Sequence, residues 1–238
     1  MVKIYQEILE SKVKGEKLLA ILIDPDKTHI ANSLNLIQKI KESPATHIFV
    51  GGSSFHGTHL DELIAFLKSK IDLSILLFPG HSSQISDKAD GILFLNLISG
   101  RNPEYLIEHQ VNATPILEKT NLEVISTAYI LIENGKETAV ERVSQTKPLD
   151  RNNGEYVSQT AKAGEYMGNK LIYLEAGSGA EKAIPTEMIE KVAERVSIPL
   201  IVGGGIRTKE GIKKAFEAGA DLVVIGTAFE NNPNFFEV

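Results

Sequence analysis

Short apolar runs rich in β-branched residues alternate with amphipathic stretches along the whole chain, and that alternation predicts repeated βα units. The runs are Leu18 to Ile23, His47 to Gly51, Leu73 to Phe78, Gly91 to Leu95, Val124 to Leu131, Leu171 to Glu175, Pro199 to Val202 and Leu222 to Ile225. Most are nearly continuous in apolar residues, as expected of parallel strands covered on both faces. Helical periodicity fits an amphipathic first helix over Met1 to Val13. It also fits Ile30 to Ser43, His59 to Ser69, Pro103 to His109, Tyr156 to Met167, Pro185 to Arg195 and Thr208 to Ala218. A short turn ending at Asp90 replaces a full third helix, and the polar stretch Ile132 to Asn153 reads as a long excursion after the fifth strand. Eight such units in 238 residues predict an α/β chain, residues 1–238, forming one (β/α)8 TIM-like barrel with a modified third helix. The competing architecture is a doubly wound open sheet.

Composition narrows the function classes. Hydrophobic residues make up 42% and charged residues 24%, an ordinary globular balance. The formal net charge of -6 disfavours nucleic-acid binding, which needs a surplus of Lys and Arg. With no cysteine, thiolate catalysis, disulfides and Cys-based metal sites drop out. The first residues mix charged and apolar positions unlike a signal peptide, and no later stretch approaches a membrane span. The expected localisation is cytoplasmic.

Barrel enzymes place their chemistry just beyond the C-terminal ends of the strands. After the seventh run comes Gly203-Gly204-Gly205-Ile206-Arg207, and after the eighth Gly226-Thr227-Ala228. Glycines there let backbone N–H groups approach phosphate oxygens, although tight turns alone would also use them. The sixth run ends Tyr173-Leu174-Glu175-Ala176-Gly177-Ser178-Gly179. Glu175 stands at the rim, either as a proton acceptor or as a salt-bridge partner. Asp24-Pro25-Asp26 after the first run suits a hard cation bound through carboxylate oxygens, and equally suits a turn with Asp26 as a helix cap. Ser53, after Gly51-Gly52, offers a neutral oxygen to the same ion or a structural turn. The six histidines lack metal-ligand spacing, His81 reads as a loop former, and Tyr129 as a barrel or pocket wall.

Together, Leu22 to Lys27, Val50 to Ser53, Tyr173 to Gly179, Val202 to Arg207 and Ile225 to Thr227 resemble the geranylgeranylglyceryl phosphate synthase family, and its larger group more than the bacterial heptaprenyl enzymes. The resemblance covers essentially the whole chain. It implies a prenyltransferase joining geranylgeranyl diphosphate, or a similar prenyl diphosphate, to the C3 hydroxyl of sn-glycerol 1-phosphate in ether lipid biosynthesis. It implies glycerol phosphate binding by Tyr173, Leu174, Glu175, Ala176, Gly177, Ser178 and Gly179, with Gly204, Gly205, Gly226 and Thr227. It further implies Mg2+ at Asp24 and Ser53, Glu175 as the catalytic proton acceptor, assembly as a homo-oligomer and peripheral membrane contact for product release. Thr227 departs from the asparagine many relatives carry there. The segment ending Lys147-Pro148-Leu149-Asp150 is more polar than expected, and no tryptophan is present to stop a prenyl groove. The other readings are a phosphate-binding isomerase or lyase barrel and a non-catalytic glycerol-phosphate-binding barrel.

Overall fold

A computed structural model describes residues 3–30, 33–52 and 59–237. Eight parallel strands close a barrel in sequence order. They are β1 (Leu18–Ile23), β2 (His47–Val50), β3 (Ser74–Leu77), β4 (Gly91–Leu97), β5 (Glu123–Leu131), β6 (Leu171–Glu175), β7 (Leu200–Gly203) and β8 (Leu222–Ile225). β8 pairs with β1 to complete the ring.

Each strand is apolar on both faces because it serves two cores. Leu18 and Ala20 of β1 point into the barrel with Phe49, Leu171, Tyr173, Ile201, Leu222 and Val224. Leu19, Ile21 and Ile23 point outward, under the helices. Side chains alternate with period two, so the inward parity of 171 and 173 on β6 carries Glu175 into the mouth of the barrel. The same parity brings Asp24, Gly203 and Gly226 to the mouth from β1, β7 and β8. An apolar interior with a polar ring at one end is therefore built into the strand register.

α1 (Ile4–Lys14) closes the opposite end, burying Ile4 and Ile8 against the inner core. Its first amides donate to the Glu123 carboxylate at the start of β5. α2 (Leu34–Glu42), α3 (Leu60–Lys68), α6 (Gly154–Tyr166), α7 (Thr186–Arg195) and α8 (Lys209–Glu217) cover the outer face. Residues 78–90 carry no helix, so the third helical position is left open, as the sequence predicts.

Two segments differ from sequence expectation. The helix expected to stop at His109 begins as a π-helical turn over Glu104–Glu108 and continues as α4 (His109–Leu117) through Pro115. The excursion after β5 contains α5 (Ala139–Ser144), held by a reciprocal capping box between Thr138 and Glu141. A short α9 (Thr227–Asn231) follows β8. No helix of the described residues is long and apolar enough to cross a membrane.

His47, at the start of β2, is buried, and burial pulls its pKa down to about 4. Its Nδ1 meets Thr46 Oγ1 at 2.8 Å, while Nε2 has no partner. Between pH 6.5 and 4 the unfolded chain binds a proton here that the folded chain rejects. Folding free energy should therefore fall by about 3 kcal/mol as pH drops through that window. Thermal unfolding of His47→Leu beside the wild type tests this: the variant should gain relative stability as pH falls from 7 to 4.5. A constant difference would show that His47 does not titrate on unfolding.

Candidate active site

One cavity of about 350 Å3 opens at the C-terminal ends of the strands. It has a glycine-rich limb and an apolar limb. Glu175 sits where they meet.

The glycine-rich limb is lined by Gly177, Ser178 and Gly179 after β6, Gly204, Gly205 and Arg207 after β7, and Gly226 and Thr227 after β8. Among the described residues, the amides of Ser178, Gly179, Gly204 and Gly205 donate to no protein acceptor. Unpartnered donors on residues that line the cavity, beside a short helix N-terminus at Thr227, make a receptor for an anion. Gly204 adopts φ +79, and a Cβ there would lie 2.3 Å from Glu175 Oε1. At Gly203 a Cβ would fall 2.6 Å from Tyr173 Oη and 2.8 Å from Glu175 Oε2. The triple glycine thus makes room for the carboxylate as well as for a ligand.

Glu175 is 5% exposed. Burial raises its pKa to about 7, against a smaller opposing pull from the Gly177 amide, which donates to Oε1 at 2.6 Å. A carboxyl poised near neutrality can take up a proton at physiological pH. Beneath it, Phe78 stacks on Tyr173 at 5.3 Å between centroids, and Tyr129 meets Tyr173 edge-on at 5.4 Å. Burial, with the nearby Glu175 charge second, pushes both tyrosines well above their ordinary range. The Tyr173 hydroxyl lies beside Glu175 at the cavity wall and stays protonated.

Leu174 and Ala176 turn outward into the layer beneath the helices, and the Ala176 amide is already bonded to Gly203 O. Neither side chain reaches the cavity. The other residues expected from β6 to β8 do converge on it.

Asp24 lines the same cavity from the end of β1, the strand beside β8. Its Oδ1 accepts the Asp26 amide at 3.1 Å and its Oδ2 pairs with Lys27 Nζ at 2.9 Å. Lys27 also reaches Glu230 of α9 at 3.3 Å. Partial burial alone would lower Lys27, but its bonds to the two carboxylates together raise its pKa. Asp26 caps no helix, because α2 starts only at Leu34; the turn is organised by the Asp24 side chain instead. Ser53 and His56 lie outside the described residues. Among the described residues no three His, Cys, Asp or Glu side chains converge as a metal cage.

The apolar limb runs from Phe78 past Ile85, Leu95, Tyr105 and His109 to Ala113. It occupies the side where the third helix is missing, so an elongated apolar ligand has an exit from the otherwise filled barrel. Sequence reasoning missed Tyr105, His109, Gln110 and Glu230, which all line this cavity. The one local signal was Pro103, which marks a helix start; π-helical turns, frequent at functional sites, are not readable from periodicity.

The PcrB family pattern matches residues 11–237. The chain is 64% identical over 234 residues to a geranylgeranylglyceryl phosphate synthase of Flavobacterium johnsoniae, spanning 98% of this chain and 96% of that one. It is 50% identical over 231 residues to a protein of the same name from Zunongwangia profunda, spanning 97% and 98%. Among solved structures, (S)-3-O-geranylgeranylglyceryl phosphate synthase from Thermoplasma acidophilum in complex with its substrate sn-glycerol-1-phosphate matches with a TM-score of 0.93. That match is 34% identical and covers 100% of this chain and 95% of the other.

Proposed function

Because the chain belongs to the PcrB family, and its relatives are geranylgeranylglyceryl phosphate synthases, we propose that this protein transfers a geranylgeranyl group to sn-glycerol 1-phosphate. The observation that carries the reading is the cavity itself, in which an anion receptor, a carboxyl poised near pH 7 and an apolar limb adjoin.

The glycerol phosphate sits with its phosphate against the amides of Ser178, Gly179, Gly204 and Gly205. Its C3 hydroxyl then points toward Glu175. The prenyl tail lies in the apolar limb, and its diphosphate is directed to the rim at Asp24 and Lys27. The C3 oxygen bonds to the prenyl C1 as the bond from C1 to the diphosphate breaks, and Glu175 takes the hydroxyl proton. The Phe78, Tyr129 and Tyr173 rings exclude water from the reacting carbon.

The residues at Asp24 fit Mg2+. The fit is one of donor type: the carboxylate oxygens of Asp24 and Glu230 share the rim through Lys27, and a hard oxygen set of one or two carboxylates without an all-protein cage suits an ion that retains its waters, once Lys27 yields Asp24 Oδ2 to it. Asp24, with Ser53, would hold it, and bound Mg2+ would supply charge neutralisation of the diphosphate leaving group.

The test is transfer of labelled sn-glycerol 1-phosphate to geranylgeranyl diphosphate, read as label in an organic-extractable product. Product should form with Mg2+, vanish with EDTA and return on re-addition. Asp24→Asn should weaken binding of Mn2+, measured by electron paramagnetic resonance in the presence of diphosphate, by roughly tenfold or more, about 1.4 kcal/mol. Absence of transfer despite tight glycerol phosphate binding would overturn the proposed activity.

A further inference from the structure

The polar segment between β5 and α5 folds back over the loop that receives the phosphate. Asn134 is fully buried. Its Nδ2 donates to Ala176 O at 2.8 Å and to Lys136 O at 3.3 Å, and its Oδ1 accepts the Glu181 amide at 3.4 Å. One side-chain amide thereby ties both ends of the loop between Ala176 and Glu181. Thr138, also buried, forms the second anchor: its Cγ2 lies 2.3 Å from where a Cβ of Gly177 would stand. Its hydroxyl is committed to the α5 capping box.

Lys136 lies between these anchors. Its Nζ is 3.9 Å from the position of a Cβ on Gly179, one of the residues whose amides are unpaired. The ammonium makes no hydrogen bond or ion pair among the described residues. On the other side of the loop, Arg207 is held to Ala180 O at 2.7 Å. The receptor thus has a fixed cation on one flank and an uncommitted one on the other. Glu181 and Lys182 lie nearby, against Gly135, and offset one another.

We propose that Lys136 is a phosphate-binding residue of the glycerol phosphate site, delivered by a strap, residues 134–138, that Asn134 positions. The inference rests on reading this limb as the glycerol phosphate site. Backbone amides contribute only partial charges, whereas a phosphate monoester carries roughly −1.5 to −2 at pH 7. An ammonium on a short, anchored strap adds a full charge and a charge-assisted hydrogen bond, at less entropic cost than a lysine on a free loop. Because Lys136 is exposed when the site is empty, its contribution should be sensitive to salt.

Isothermal titration of the wild type with sn-glycerol 1-phosphate at low salt is the reference. Lys136→Ala should weaken binding roughly five- to tenfold, with kcat changing much less than KM for glycerol phosphate and with the KM for geranylgeranyl diphosphate unmoved. Lys136→Arg should recover most of the loss, and the wild-type advantage should shrink at 0.5 M salt. Asn134→Ala should weaken binding too, and Lys136→Ala should add little in that background, since a strap no longer held in place delivers no charge. Affinity of Lys136→Ala within twofold of wild type at low salt would overturn the proposal. Failure of the wild type itself to bind glycerol phosphate would instead overturn the reading of the limb on which it rests.

Discussion

Replacing Glu175 with Gln is expected to lower kcat/KM by roughly 10²- to 10⁴-fold while making the protein more stable above pH 7. The two effects share one cause. Gln keeps the shape of the side chain and can still accept the Gly177 amide, but it cannot take the C3 hydroxyl proton. The stability gain follows from burial, which raises the Glu175 pKa to about 7 in the folded protein, against an ordinary value of 4.5. Below pH 4.5 the carboxyl is neutral in both states and its burial carries no ionisation penalty. Between 4.5 and 7 the unfolded chain releases a proton that the folded chain keeps, so stability drops as pH rises through that window. By pH 8 the penalty is on the order of 3 kcal/mol. Thermal unfolding of wild type and Glu175→Gln at pH 5 and pH 8 should show the curves diverging at the higher pH in favour of the variant. In the wild type, the acid limb of kcat/KM should fall near pH 7. A variant with near-normal turnover would remove Glu175 from proton transfer, and parallel stability at both pH values would show that its ionisation is not suppressed.

Gly204→Ala should be nearly as damaging, through geometry instead of charge. Alanine at φ +79 costs about 1–2 kcal/mol in backbone energy. The new Cβ would also sit 2.3 Å from Glu175 Oε1 and 2.7 Å from the amides of Ala176 and Gly177. The phosphate loop and the carboxylate must both move to admit it. Glycerol phosphate affinity should fall by roughly 10²-fold, about 2.7 kcal/mol, with turnover lost in parallel. Gly168→Ala is the matched control: its φ is +89, but nothing lies within 4 Å of a Cβ there. It should show the backbone penalty in thermal unfolding and leave glycerol phosphate binding intact. Equal ligand affinity in the two variants would mean that the contacts at Gly204 do not shape the site.

Much of this architecture is legible in the amino-acid sequence. Continuous apolar runs at regular spacing required strands covered on both sides, and all eight were found within one or two residues of their expected ends. The end of the sixth run put Glu175 at the rim, and the glycines after β7 and β8 announced a close approach of backbone to something. These are local properties, carried by periodicity and by the absence of a Cβ.

Other features depend on closure of the barrel. The pKa of Glu175 reflects its burial, with Tyr129 of β5 and the glycines at the end of β7 beside it, residues far apart in sequence that only the sheet brings together. Glu230 finds Lys27 across 203 positions of sequence, and nothing around either residue signals the other. The strap at 134–138 has the composition of any polar loop, and its role depends on Asn134 reaching the loop after β6. Likewise the apolar limb exists because residues 78–90 leave uncovered a flank that the π-helical turn and α4 then line. The sequence alone determined where the strands run and where the chain can approach a phosphate, since continuous apolar runs and glycine sterics act over a few residues. Tertiary structure decided which charges meet and how dry they are, since distance and desolvation depend on all eight strands together.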